Sequence, residues 1–203
     1  MKKVLKRIGI CTLVVCLLCC GLILRDKQTL RKNLIRLHVV GASNSDKDQA
    51  LKLQVRDAIV ENLQENMAHL TDMTRAKAYL QAHLREIEEV ANEVLREAGS
   101  RDVAQVSLRQ EEFVTRYYDT FTLPAGVYES LRITIGSGAG RNWWCVVFPT
   151  LCVGATVEEF SETAVSAGFS EGLAETLAGE EGYEVRFFLL DTLGKLENFL
   201  HKG

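Results

Sequence analysis

Of the six cysteines and four histidines, two cysteines outside the N-terminal apolar segment and one histidine are the candidates for covalent chemistry. Cys145 and Cys152 are seven positions apart, with Pro149 between them to reverse the chain. A cysteine beside a histidine can act as nucleophile and base, and His38 is the histidine that lies on a predicted strand next to a polar loop. In an oxidising compartment the two cysteines would instead form a disulfide, which we favour, and two unreactive thiols are the third interpretation.

Cofactor and metal chemistry has weaker support. Outside the N-terminal apolar segment no pair of His or Cys has the spacing of metal ligands. Residues 136–141 form a glycine-rich loop, but a strand follows it instead of the helix that completes a phosphate site, so a hairpin loop is favoured. The oxygen-rich residues 43–48 fit no calcium loop, and Asp46 with Gln49 has the form of a helix capping box. We therefore expect neither a metal nor a cofactor.

A strand followed by two helices must position His38. Residues 34–40 alternate apolar side chains with Arg36 and His38, which predicts a strand with one apolar face. The capping box predicts a helix that begins near Lys47. An apolar stripe over residues 76–98, with Gly99 placed to end it, predicts a second helix.

The rest of the chain has a mainly strand-like pattern. Strands are predicted over residues 103–108, 113–118, 131–135 and 143–148, with turns at 124–126 and 136–140. Residues 158–177 show a weak helical pattern, residues 183–190 predict a last strand, and residues 192–200 predict a short helix. Strands and helices are thus segregated, which predicts an α+β fold with the helix pair packed on one face of a mostly antiparallel sheet.

Adjacent tryptophans mark the strand that carries Cys145. Trp143 and Trp144 must face opposite ways on a strand, so we expect one in the core and one near the surface. The exposed ring, with Arg36 and His38, would form a polar-aromatic recognition patch. On residue types alone, an ordinary solvated sheet face is favoured over such a patch.

The N-terminus determines the compartment. Seventeen uncharged residues, 8–24, follow four basic ones, which is typical of a secretory signal or an uncleaved anchor. A basic N-terminus usually stays in the cytoplasm, so the body should lie outside it. We divide the chain into a signal peptide or membrane anchor over residues 1–25, a short spacer over 26–33, and a single extracytoplasmic α+β domain over 34–203.

The charge of the body limits its partners. Five of the 24 basic residues and none of the 27 acidic ones lie in residues 1–25, so the remainder has an excess of eight acidic side chains. Nucleic-acid binding needs a basic footprint, so we expect none. Contact with a membrane should occur only through the N-terminal segment.

Two stretches resemble the stage II sporulation protein R family of endospore-forming bacteria. The first begins Leu34-Ile35-Arg36-Leu37-His38 and continues to Asp57, with Asn44 and Asp46 in its loop. The second begins Leu123-Pro124-Ala125-Gly126 and continues through Asn142-Trp143-Trp144-Cys145 to Cys152. Both are long composite motifs, and they occur in the order of the family behind an N-terminal apolar segment.

The resemblance implies an exported signal, not a catalyst. Family members pass from the forespore into the space between the two membranes around it. There they activate a membrane-embedded aspartic protease of the mother cell, which cleaves the precursor of sigma factor E. We expect the residues that bind this partner to be Arg36, His38, Asn44, Asp46, Asn142, Trp143 and Trp144. The alternatives are an extracytoplasmic cysteine hydrolase using Cys145 and His38, or a cell-wall-binding module that stacks sugars on the two tryptophans.

Overall fold

One long helix leads from the N-terminus into the body of the protein. The computed structural model describes residues 2–150 and 156–201, and helix α1 runs unbroken over Lys2–Asn33. From Lys6 onwards this helix is long and apolar enough to cross a membrane, by length and composition. The predicted spacer, residues 26–33, forms its last turns and buries Asp26 and Leu30 against the body.

A four-stranded sheet forms the centre of the body. Strands β1 (Ile35–Val40), β2 (Ala104–Phe113), β5 (Gly126–Ile135) and β6 (Asn142–Phe148) lie in the order β2-β5-β1-β6. β1 pairs with β5 in parallel, whereas β1–β6 and β2–β5 are antiparallel. Every residue of β1 is buried, because neighbouring strands and covering elements enclose both of its faces.

Two helices cover one face of the sheet, as predicted. Helices α2 (Asp46–Met67) and α3 (Met73–Glu97) pack on each other and enclose a core with the apolar side chains of β1, β5 and β6. Gly99 ends α3 with φ +66°, and the N–H groups of Gly99 and Ser100 donate to the carbonyls of Arg96 and Leu95. This is the pattern of a left-handed helix terminus that favours glycine.

The second face of the sheet is covered at one end only. The last turns of α1 pack there with helices α4 (Val157–Ser166), α5 (Glu171–Ala178) and α6 (Glu184–His201) and with a small hairpin of β3 (Arg116–Tyr117) and β4 (Thr122–Leu123). The fully buried members of this second core include Leu30, Leu34, Leu123 and Phe160. The α+β class with a helix pair on a mostly antiparallel sheet is therefore confirmed.

Three element predictions were wrong in detail. Residues 183–190, predicted as a strand, begin α6, because Leu190 and Gly194 are buried at helical spacing. Ser45, not Asp46, caps α2 by accepting the N–H of Asp48, while the Gln49 side chain donates to the carbonyl of Ser43. β2 is one strand of ten residues, where a break after residue 108 was predicted.

Candidate functional site

The two faces of β1 separate the predicted site residues. Ile35, Leu37 and Val39 point into the core under α2 and α3, so Arg36 and His38 lie on the opposite face. Cys145 pairs with Leu37 and belongs to the first core, whereas Trp144 pairs with His38 on the second face.

The proposed nucleophile and base are therefore apart. The side chain of Cys145 lies on one side of the sheet and the ring of His38 on the other. A sheet cannot bring such groups within hydrogen-bond reach, so the Cys145/His38 dyad does not form. Cys152 lies outside the described residues, and its disulfide with Cys145 stays a prediction.

Glu111 is the hub of the polar side chains on the second face. One carboxylate oxygen accepts from His38 Nδ1 at 3.0 Å. The other accepts from Arg132 Nη1 at 2.7 Å and from Arg109 Nη2 at 2.8 Å. Burial alone would raise the pKa of Glu111, but hydrogen bonds from His38, Arg132 and Arg109 hold it well below its ordinary value. The carboxylate is thus ionised and neutralises part of a cationic cluster.

His38 connects this hub to β6. Its Nε2 lies 3.0 Å from Oδ1 of Asn142, so both ring nitrogens face acceptor oxygens. The ring also stacks on Trp144, with centroids 5.5 Å apart and planes at 21°. The guanidinium carbon of Arg116 lies 3.4 Å from the centroid of the same indole ring.

We call this group the Glu111 cluster. It consists of the residues that meet at the uncovered half of the second face: His38, Arg109, Glu111, Arg116, Arg132, Asn142 and Trp144. Its edge is open to water, since Asn142 is exposed and half of the Arg109 side chain is accessible. Three arginines against one carboxylate make it locally basic on an otherwise acidic body.

Arg36 lies beneath this surface and not on it. Its side chain is fully buried, with the guanidinium carbon 4.1 Å from the Phe113 ring centroid and 5.3 Å from that of Tyr128. Nη2 donates to the hydroxyl of Tyr118 at 2.9 Å. Within residues 2–150 and 156–201, Nε and Nη1 have no hydrogen-bond partner. Arg36 therefore cannot touch a partner in this arrangement, although the sequence made it a candidate.

The two tryptophans face opposite ways, as strand geometry requires. Trp143 packs against the first core with the guanidinium carbon of Arg56 4.9 Å from its ring centroid, while Trp144 packs against the second. Both rings are half-buried, so the expected contrast of one core ring and one surface ring was wrong. The two rings cannot form one sugar-stacking platform.

Asn44 and Asp46 lie at the adjoining end of the sheet. The Asn44 Oδ1 accepts the N–H of Arg141 at 2.8 Å, and the N–H of Gly140 donates to the carbonyl of Gly41 at 2.9 Å. A Cβ on Gly140 would collide with the carbonyl oxygens of Ser43 and Gly41, so only glycine permits this approach. Asp46 is exposed at the start of α2. The glycine-rich loop thus supports the loop after β1. The hairpin interpretation was wrong, because β1 lies between β5 and β6 and the loop crosses over the end of β1 to connect them.

Sequence reasoning missed Glu111, Arg109, Arg132 and Arg116. The signal for the first two was available, because Ala104, Val106 and Leu108 alternate with polar residues, and an unbroken β2 places Arg109 and Glu111 on the face opposite to them. The partners of Arg132 and Arg116 depend on tertiary packing, for which the sequence pattern carries no signal.

The fold and the cluster together define an α+β domain with one polar-aromatic sheet face behind an apolar N-terminal helix. A family model described as Stage II sporulation protein R (spore_II_R) matches residues 31–158. The chain is also 32% identical over 180 residues to "Stage II sporulation protein R" of Bacillus subtilis (strain 168), covering 80% of each chain. The chain therefore belongs to the stage II sporulation protein R family. No solved structure matches it.

Proposed function

We propose that this protein is an exported sporulation signal that activates a membrane-embedded aspartic protease of the mother cell and so starts processing of the sigma-E precursor. Membership of the stage II sporulation protein R family is the observation that carries this proposal. The apolar helix α1 fits a signal peptide or anchor that delivers the body to the space between forespore and mother cell.

The Glu111 cluster is the surface we assign to the protease. Recognition surfaces are enriched in arginine and tryptophan, and Arg109, Arg116 and Trp144 lie together here at the end of the second face that α1 and α4 to α6 leave open. Hydrogen bonds to Glu111 and Asn142 fix the rings and guanidinium groups in advance, which reduces the entropy lost on binding. The excess positive charge suits an acidic segment of the partner.

Activation requires more than binding. A ligand moves an equilibrium between inactive and active protease only if it binds the active state more tightly. The rigid Glu111 cluster would supply this difference by matching a surface that the protease forms only in its active state.

Co-production tests the function. The chain, the protease and the sigma-E precursor are made together in a non-sporulating host, and precursor cleavage is followed by immunoblot. We expect cleavage only when all three are present. Unchanged cleavage on adding this chain would refute the proposed function.

A charge reversal tests the surface separately. Arg109→Asp should lower cleavage strongly, because it places a negative charge at the exposed edge of the Glu111 cluster. Arg85→Asp makes the same change at an exposed position of α3, on the other side of the sheet, and should leave cleavage intact. Equal effects of the two substitutions would contradict the assignment of this surface while leaving the function standing.

A further inference from the structure

Helix α6 carries an apolar stripe on its outer side. The exposed apolar residues recur at helical spacing over four turns and occupy one face: Val185, Phe188, Leu189, Leu196, Phe199 and Leu200. Phe188 is 65% exposed and Phe199 75% exposed. The opposite side of α6 is fixed to the body by Leu190, Asp191 and Gly194, so the stripe points away from the domain.

The stripe borders the place where α1 leaves the body. Ile23 is buried, whereas the side chains of residues 6–22 are exposed, so the body begins where the apolar run ends. The first charged residues after that run hold α6: Asp26 pairs with Arg186, and Lys27 pairs with Glu197. Lys27 Nζ also donates to the carbonyl of Leu193 at 3.1 Å. α6 is thus attached within the first turn beyond the apolar segment.

These contacts fix the direction of α6. Arg186 and Glu197 are about 16 Å apart along α6 at 1.5 Å per residue, yet they meet consecutive residues of α1. Glu197 also pairs with Arg31, so contacts along about 16 Å of α6 fall within about 8 Å of α1, and the two helices are inclined to each other. If α1 passes through a bilayer near its normal, α6 is tilted towards the plane of that bilayer.

We propose that α6 is an interfacial helix whose apolar stripe lies in the headgroup region of the lipid bilayer that α1 enters. An amphipathic helix in the membrane plane buries its apolar face about 5–10 Å into the boundary of headgroups and acyl chains. We assign lipid as the partner of the stripe, because the stripe on α6 continues the apolar surface of α1 beyond the point where the apolar run of α1 ends. This second attachment would hold the Glu111 cluster at a fixed orientation to the membrane, where α1 alone would allow rotation.

Fluorescence quenching by brominated lipids tests the proposal on the full chain. The chain is reconstituted in phosphatidylethanolamine/phosphatidylglycerol vesicles with Phe188→Trp or Phe199→Trp, and the signal of the unmodified chain, from Trp143 and Trp144, is subtracted. Both new tryptophans should be quenched, and bromines near the headgroups should quench more than bromines near the chain ends. The matched control is Val103→Trp, an apolar residue 62% exposed just before β2, at the end of the strand far from α6, which should not be quenched.

Three results would overturn the proposal. The first is no quenching at Phe188→Trp and Phe199→Trp. The second is equal quenching at Val103→Trp. The third is a tryptophan signal that depends on protein density in the membrane and not on the lipid, which would show that a second copy covers the stripe. Leu196→Trp combined with Phe188→Ser and Phe199→Ser gives a further check, since all three side chains are exposed and the fold should survive. Quenching of this probe should fall relative to Leu196→Trp alone, and unchanged quenching would also overturn the proposal.

Discussion

Glu111→Gln should destabilise the body by about 3 kcal/mol, although it changes only one oxygen to an amide nitrogen. The carboxylate accepts charged hydrogen bonds from His38, Arg132 and Arg109, and its side chain is only 11% exposed. Hydrogen bonds to charged groups contribute about 1.5–3 kcal/mol each, and breaking a buried pair costs about 3–5 kcal/mol. Glutamine keeps one acceptor oxygen but turns an N–H towards a group that donates to Glu111. Solvent weakens the Arg109 contact, so the cost should lie at the lower end of the range for breaking a buried pair.

The pH dependence gives the sharper test. Because the pKa of Glu111 is lowered on folding, its contribution is present above the unfolded pKa of about 4.3 and is lost as pH falls towards the folded pKa. Below about pH 4 the free energy of unfolding of the native protein should fall towards that of Glu111→Gln by about 1.4 kcal/mol per pH unit, because glutamine does not titrate. The stability gap between the two proteins should therefore narrow from pH 7 to pH 3.

Urea unfolding of the full chain in mild detergent, followed by tryptophan fluorescence, measures both effects. Glu89→Gln is the matched control, since Glu89 pairs with Arg96 at an exposed site on α3 and should barely move the unfolding midpoint. The reasoning fails if Glu111→Gln is within about 0.5 kcal/mol of the native protein at pH 7, which is the usual range of surface substitutions. It fails equally if the gap stays constant with pH.

Three further substitutions probe other parts of the fold, two by the same unfolding measurement and the third by amide exchange. Asp191→Asn should cost about 2 kcal/mol of unfolding free energy at neutral pH, because Asp191 accepts the Ala125 N–H and the Thr115 hydroxyl and pairs with Lys195. Burial alone would raise the pKa of Asp191, but these bonds lower it overall, so the cost should diminish in acid. A cost that does not change with pH would count against this account. Phe160→Ala should cost about 3–5 kcal/mol, since the ring is fully buried and stacks on Phe121; a loss below about 1 kcal/mol would show that the second core is not packed as described. Gly140→Ala should shift the loop after β1, which would be seen as lost amide-exchange protection at Gly41. Ala139→Gly, at the exposed neighbouring position, should leave this protection unchanged. Equal protection of the Gly41 amide in the two variants would contradict the close approach.

The parts of the fold that follow a local period were predictable from the sequence. Alternation in β1 placed Arg36 and His38 on one face, and the apolar stripe of α3 with Gly99 after it located that helix and its end. These elements are determined by which side chains must leave water, and that requirement repeats every 2 or 3.6 residues. α6 was not predictable in the same way, because a short apolar run from residue 183 fits a strand or a helix until its packing is known.

The candidate site was predictable only in part, for a similar reason. His38, Asn142 and Trp144 meet, as the two family-like stretches suggested, because β1 and β6 are neighbours in the sheet. The three charged residues Arg109, Glu111 and Glu112, with Gln110 among them, resemble a solvated turn, so β2 was ended early and Glu111 was overlooked. The register of β2 against β5, which depends on distant residues, is what makes this polar run the centre of the site.

Arg36 and His38 share a strand face but differ in what lies above them, and this difference bears on how a partner could be recognised. The rings of Phe113 and Tyr128 and the hydroxyl of Tyr118 enclose the Arg36 guanidinium, whereas the Glu111 cluster around His38 reaches solvent at Arg109 and Asn142. Among the described residues no acidic side chain pairs with Arg36, and such a buried cation is held mainly by ring faces. Arg116 stacks on Trp144, and burial together with the nearby like charge of Arg36 lowers the pKa of Arg116. Arg36 is therefore part of the support beneath the cluster, and the recognition of the protease that we propose rests on the arginines of the cluster and Trp144.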